Sequence, residues 1–168
     1  GYTVLVVDPR DSFAAADRFA GIEVDTRWPD EALADWKPDG GTVIVTLQNG
    51  LGNEAHLASL HRADQVLGGV CFVCINRISP GLVSHSAGGR VTLGEWRPDS
   101  RGRAAELERR FKDAGIHGVA VDSLEKSQWE KLVWNIPFNG LSVAEGGVTT
   151  DVLLGSQETE NELRALMV

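Results

Sequence analysis

Thr42-Val43-Ile44-Val45-Thr46-Leu47 reads as one continuous apolar strand without a charge, and it runs straight into Gln48-Asn49-Gly50-Leu51-Gly52-Asn53-Glu54. A strand with no polar face needs cover on both sides, which is the environment of a strand inside an α/β sheet with parallel pairing. Asn49-Gly50 then looks like a tight turn into a helix predicted over Asn53 to His61. Sheets of this kind collect ligands at the carboxyl ends of their strands, where this turn lies. Asn49 is therefore either a plain turn former or a ligand contact.

The remaining chain agrees with α/β order. Tyr2 to Asp8 is a run of strand formers, Pro9-Arg10-Asp11-Ser12 a turn and cap, Phe13 to Phe19 a modest helix closed by Gly21, and Ile22 to Asp25 a short strand. In dinucleotide-binding sheets an acid at the end of the second strand contacts the adenosine ribose, whereas a nearby arginine accepts a 2′-phosphate. Asp8 and Arg10 are placed for these opposite tasks, and a plain turn is the alternative. No G-x-G-x-x-G joins a first strand to a helix. A short helix is expected from Asp30 to Trp36, a strand around Gly69 to Ile75, and a helix from Ala104 to Ala114 with Leu107 and Phe111 on its inner side. Two alternating segments flanking Gly88-Gly89 read as an antiparallel hairpin. His85 is expected to be a hydrogen-bonded structural histidine and Glu95 a structural acid. After the strand Ile116 to Val121 and the cap Asp122-Ser123 the pattern turns wholly helical, which places a domain boundary near residue 122.

The helix that follows carries an unusual stripe. Lys131, Asn135 and Asn139 fall at i, i+4 and i+8, so one ammonium and two carboxamides share one side. Trp129, Leu132, Val133, Trp134, Ile136 and Phe138 surround the stripe, so the helix is expected to be largely buried and the lysine to need a partner. A cleft holding a small polar ligand would supply one; a solvated helix face is the alternative. Pro137 removes a backbone donor to Val133 within this helix.

Cys71 and Cys74 are the only cysteines. On a strand, i and i+3 point to opposite faces, so the pair is read as two reduced core thiols that neither bridge nor share a metal. The formal charge of −8 and pI near 4.9 argue against a nucleic-acid binder or a protein held on an anionic membrane. No apolar run approaches a transmembrane length and no signal-peptide layout opens the chain, so a cytoplasmic protein is expected.

Three stretches, in order, resemble the ketopantoate reductase (2-dehydropantoate 2-reductase) family. They are Leu47-Gln48-Asn49-Gly50-Leu51-Gly52, then Pro80-Gly81 with Val83, His85 and Gly94-Glu95, then Trp129, Lys131-Leu132, Asn135 and Asn139. The resemblance runs from about residue 42 to about residue 154, and residues 1–24 look like the family's second Rossmann strand with its helix. It implies a partial Rossmann-like NADP-binding domain at residues 1–121, followed at 122–168 by the start of an all-helical domain for substrate and dimer contacts. The implied reaction is NADPH-dependent reduction of 2-dehydropantoate to pantoate, in pantothenate and coenzyme A synthesis. Lys131 then corresponds to the lysine that gives a proton to the keto oxygen, where charge builds as hydride arrives. Asn135 and Asn139 correspond to the amides that hold the substrate's hydroxyl and carboxylate end, and Asn49 to the asparagine between nicotinamide ribose and substrate. Asp8 and Arg10 would be the cofactor's contacts near the adenosine. The implied partners are a small 2-keto acid and a second copy of the chain; no metal is called for.

Some departures accompany the resemblance. The family's first strand and glycine-rich phosphate loop are absent, the segment Asp25 to Asp39 is too short for the strands and helices that normally lie between, and the sequence stops at Met167-Val168, before the family's C-terminal helices that carry a serine contacting substrate and a glutamate near the nicotinamide. Thr149 stands where the family has a further asparagine. These features fit an incomplete record of a longer chain or a degraded product. The alternatives are a reductase of another 2-keto acid, or an inactive remnant kept as a binding or dimerisation module.

Overall fold

The computed structural model describes residues 5–7, 23–25, 33–79, 82–97 and 102–167. Asp8, Arg10, the helix expected over Phe13 to Phe19 and the Pro80-Gly81 motif lie outside them. Strands β1 (Leu5–Val7) and β2 (Glu23–Asp25) pair in parallel, as expected of a strand–helix–strand unit. Of the helix expected from Asp30 to Trp36, residues 33–35 are helical.

The main sheet has the order β3 (Ile44–Thr46), β4 (Val66–Ser79), β5 (Leu82–Glu95), β6 (His117–Val121). It is mixed: β3 is parallel to β4, β5 antiparallel to β4, and β6 parallel to β5. Helices α1 (Asn53–Leu60) and α2 (Arg103–Asp113) cover opposite faces, which follows from the period of a strand. Val66 packs with Ile44 and Leu57 on the α1 side, while Leu67 packs with Val91, Leu93 and Ala104 on the α2 side. Both Val66 and Leu67 are wholly buried. Gln65, also buried, donates from Nε2 to the carbonyls of Asp39 (2.6 Å) and Thr42 (3.0 Å), which fixes the loop that feeds β3. Glu95 has the structural role expected of it: its Oε1 accepts from the Ala104 backbone N–H at 2.8 Å, in the first turn of α2. His85 Nε2 likewise lies 2.8 Å from the Ala87 carbonyl.

Beyond the sheet come α3 (Leu124–Ala144), α4 (Thr150–Leu153) and α5 (Gln157–Leu166). Ser123 caps α3 by accepting from the Lys126 N–H at 3.2 Å. Phe138 and Leu141 of α3 bury against Leu153 and Leu163 in a second core. No helix among the described residues is long and apolar enough to cross a membrane.

Three expectations need correction. The hairpin does not turn at Gly88-Gly89: both alternating segments belong to β5, whose antiparallel partner is the upstream strand β4. Phe72 pairs with Arg90 but Val73 with Gly88, so Gly89 is an extra residue in β5. Both glycines have positive φ (78° and 126°), the backbone a glycine bulge requires. The second correction concerns Cys74, which is exposed because β4 and β5 extend past their neighbours; Cys71 is half-buried, and burial pushes its thiol pKa up. Third, α3 is not largely buried among the described residues. Only Leu124, Pro137, Phe138 and Leu141 are buried, whereas Trp129, Val133, Trp134 and Ile136 are each about half exposed or more. A 21-residue helix that meets the sheet near its start and two short helices near its end has little to cover its middle.

His61, at the end of α1, has its Nε2 buried without a hydrogen-bond partner among the described residues, and its ring meets Trp36 edge-on at 5.6 Å. Its pKa is lowered by desolvation and then by the Lys37 cation, against a hydrogen bond to the Leu33 backbone. The neutral ring is thus favoured in the fold. Its contribution is present above the unfolded value of about 6.5 and is lost as pH falls through the lower folded value. Melting temperature should therefore drop less between about pH 7 and about pH 5 in His61→Gln than in the unsubstituted chain. Parallel pH profiles of the two proteins would overturn this.

Candidate active site

The turn that leaves β3 carries Gln48, Asn49 and Gly50, with φ of 97° at Gly50 and 92° at Gly52. Those left-handed positions bend the chain directly into α1 and leave the turn bare, since no described residue lies within 4 Å of where a Cβ would be at either glycine. Opposite the turn runs α3. Between them, floored by Gly69 and Val70 of β4, lies a small open cleft, lined on the α3 side by Gln128, Lys131, Leu132 and Asn135.

Lys131 is the centre of this cleft. Its Nζ donates to Asn49 Oδ1 at 2.5 Å and to the Cys71 carbonyl at 2.7 Å, joining α3 to the β3 turn and to β4. An ammonium has three N–H donors and no acceptor, so one donor remains for an oxygen in the cleft. The same logic fixes the Asn49 carboxamide: the atom facing the lysine must be oxygen, which leaves the two Nδ2 hydrogens for a ligand. The Asn49 backbone is held as well, its carbonyl accepting from Asn53 Nδ2 at 3.3 Å. Gln48 is oriented by the buried Thr46 hydroxyl, which donates to Gln48 Oε1 at 3.3 Å. The arrangement offers a fixed cation ringed by amide donors, in a chain that is otherwise anionic. That combination suits a small carboxylate with a carbonyl to polarise.

Of the residues singled out from sequence, Asn49, Lys131 and Asn135 meet in this cleft. Asn139, one turn further along α3, is exposed and outside the lining. Asp8 and Arg10 lie outside the described residues. Sequence reasoning gave no role to Gln128, the Cys71 carbonyl or Gly69. Gln128 was within reach, because it precedes Lys131 by three residues and so extends the polar stripe by one turn.

Comparison with known proteins decides the family. The family described as "Ketopantoate reductase PanE/ApbA" matches residues 30–98. A 2-dehydropantoate 2-reductase of Nostoc sp. is 36% identical over 136 residues, 78% of this chain and 42% of that protein. The chain belongs to the ketopantoate reductase family. A second relative in this family, the 2-dehydropantoate 2-reductase of Halobacterium salinarum, is 37% identical over 99 residues, covering 59% of this chain and 33% of the relative. The crystal structure of 2-dehydropantoate 2-reductase from Geobacter metallireducens superposes with a TM-score of 0.73 at 45% identity, over 77% of this chain and 43% of that one. The α/β, Rossmann-like architecture is thus that of the family, and the chain spans less than half the length of these relatives.

Proposed function

We propose that the protein reduces the keto group of 2-dehydropantoate to the alcohol of pantoate, using NADPH, as a cytoplasmic step of pantothenate and coenzyme A synthesis. One observation carries the reading: Lys131, tied to Asn49 and to the Cys71 carbonyl, lines the cleft with one donor left over. The names borne by the Nostoc and Halobacterium relatives support the substrate.

The nicotinamide cofactor would supply the hydride. The residues present suit such a group, because the bare turn at Gly50 admits a flat ring or ribose and Asn49 offers two unused amide hydrogens beside it. Of the two residues placed near the adenosine, Asp8 suits a ribose hydroxyl and Arg10 a 2′-phosphate; the reading follows the arginine, hence NADP over NAD. Lys131 polarises the keto oxygen and passes a proton to it as negative charge develops there. Asn135 lies one turn beyond Lys131 on the same face and orients the substrate's polar end, with Asn139 extending that row.

The test is the absorbance of reduced nicotinamide during incubation with a series of 2-keto acids. Ketopantoate with NADPH should give the fastest oxidation. A preference for another 2-keto acid would correct the substrate, and no keto-acid-dependent oxidation with either cofactor would end the reading.

A further inference from the structure

Glu54 is 2% exposed, which is unusual for a carboxylate and calls for a specific partner. That partner is Gln128, whose Nε2 donates to Glu54 Oε1 at 2.9 Å across 74 positions of sequence. Glu54 lies in the first turn of α1, where a negative charge meets the positive end of the helix. The sheet makes room for it: a Cβ at Gly68 would fall 2.4 Å from Glu54 Oε1. A leucine or methionine would fill such a place at lower desolvation cost, so packing alone does not account for an acid.

The two residues stand next to the proposed catalytic pair. Gln128 precedes Lys131 by one helical turn on the same face, and Glu54 follows Asn49 by five residues, across the turn into α1. The elements that bear Asn49 and Lys131 are therefore cross-tied twice, by Asn49–Lys131 and by Glu54–Gln128. The lysine is itself a reacting group, so its hydrogen bond to Asn49 changes as its proton is passed on. The Glu54–Gln128 bond involves no group of the reaction and can persist throughout. We propose that Glu54 and Gln128 are positioning residues that hold α3 at a fixed rotation and distance from the Asn49 turn, so that Lys131 reaches the keto oxygen. The proposal rests on the reductase reading given above.

The experiment compares Gln128→Ala, Glu54→Gln, Glu54→Leu and the Glu54→Leu/Gln128→Ala pair with Lys131→Ala, recording kcat, KM for ketopantoate and melting temperature. Gln128 is only partly buried, so Gln128→Ala is expected to fold even if Glu54→Leu does not. A misplacement near 1 Å is enough to lower kcat about a hundredfold, so Gln128→Ala should lose about tenfold to a hundredfold in kcat with KM little changed, and its melting temperature should fall because the buried Glu54 carboxylate loses its partner. Glu54→Gln keeps an oxygen acceptor for Gln128 and should retain most of the kcat. The double variant should be no slower than the slower single one, as expected of one shared interaction. If Lys131→Ala is inactive while Gln128→Ala keeps its kcat, or if the two losses multiply, the brace is overturned and the reductase reading stands. If Lys131→Ala is fully active, the catalytic assignment and the brace fall together.

Discussion

Lys131→Ala should lower the rate of keto-acid reduction about a hundredfold to ten-thousandfold while the protein stays folded. On the proposed mechanism the substitution removes both the proton donor and the positive charge that meets the forming alkoxide, and such preorganised charge acts only on the transition state. The loss should therefore appear chiefly in kcat. Stability should change by only about 1 kcal/mol, because the two abandoned acceptors, Asn49 Oδ1 and the Cys71 carbonyl, border an open cleft where water can replace the ammonium. Lys131→Arg is expected to be a poor rescue. A guanidinium restores charge, but it does not give up a proton at neutral pH, and its planar fork does not fit two acceptors placed for a single nitrogen. Rates with NADPH and ketopantoate, measured beside thermal melts of all three proteins, check this. A Lys131→Ala protein with an undiminished rate would refute the role given to the lysine.

Local chemistry made much of this molecule legible from sequence. The apolar run into Asn49-Gly50 marked β3 and its turn, Ser123 marked the start of α3, and the spacing of Lys131 and Asn135 placed both on the face that lines the cleft. What stayed hidden was set by contacts distant in sequence. Gly88-Gly89 has the composition of a turn and of a bulge alike, and only the pairing of β5 with β4 decides for the bulge. Nothing in the residues around Glu54 marks it as buried; its burial depends on Gly68 and Gln128, which come from a strand and a helix elsewhere in the chain. The apolar residues of α3 around the stripe read as core, and of the six only Phe138 is buried. Phe138 is buried and stacks with Trp134 at 4.0 Å, while Trp134 itself remains 49% exposed. Apolar content states what a side chain prefers, and the neighbours determine whether it is covered.

Gly94→Ala is expected to destabilise the fold by about 2–3 kcal/mol, or roughly 4–10 °C in melting temperature, and to slow the reaction as well. Gly68 and Gly94 pair directly across β4 and β5, forming a flat place in the sheet on which Leu124, the first residue of α3, is seated. A Cβ at Gly94 would lie 2.7 Å from Leu124 Cβ, 3.1 Å from its Cα and 3.3 Å from its backbone nitrogen. Those atoms cannot swing aside, so the start of the helix would have to rise off the sheet. Seven residues later the same helix presents Lys131, whose bonds to Asn49 and Cys71 depend on that seating. Gly68→Ala differs in kind, because its contacts at 2.4 Å are with the tips of side chains, Leu124 Cδ2 and Glu54 Oε1. Shortening Leu124 to alanine removes one of the two clashes at Gly68 and none of the backbone contacts at Gly94. In double-mutant cycles Leu124→Ala should therefore couple favourably with Gly68→Ala, while the cost of Gly94→Ala should remain largely unrelieved. Melting temperatures of the singles and both doubles read this out. An unperturbed Gly94→Ala protein would mean that α3 does not rest on the sheet as closely as these distances require.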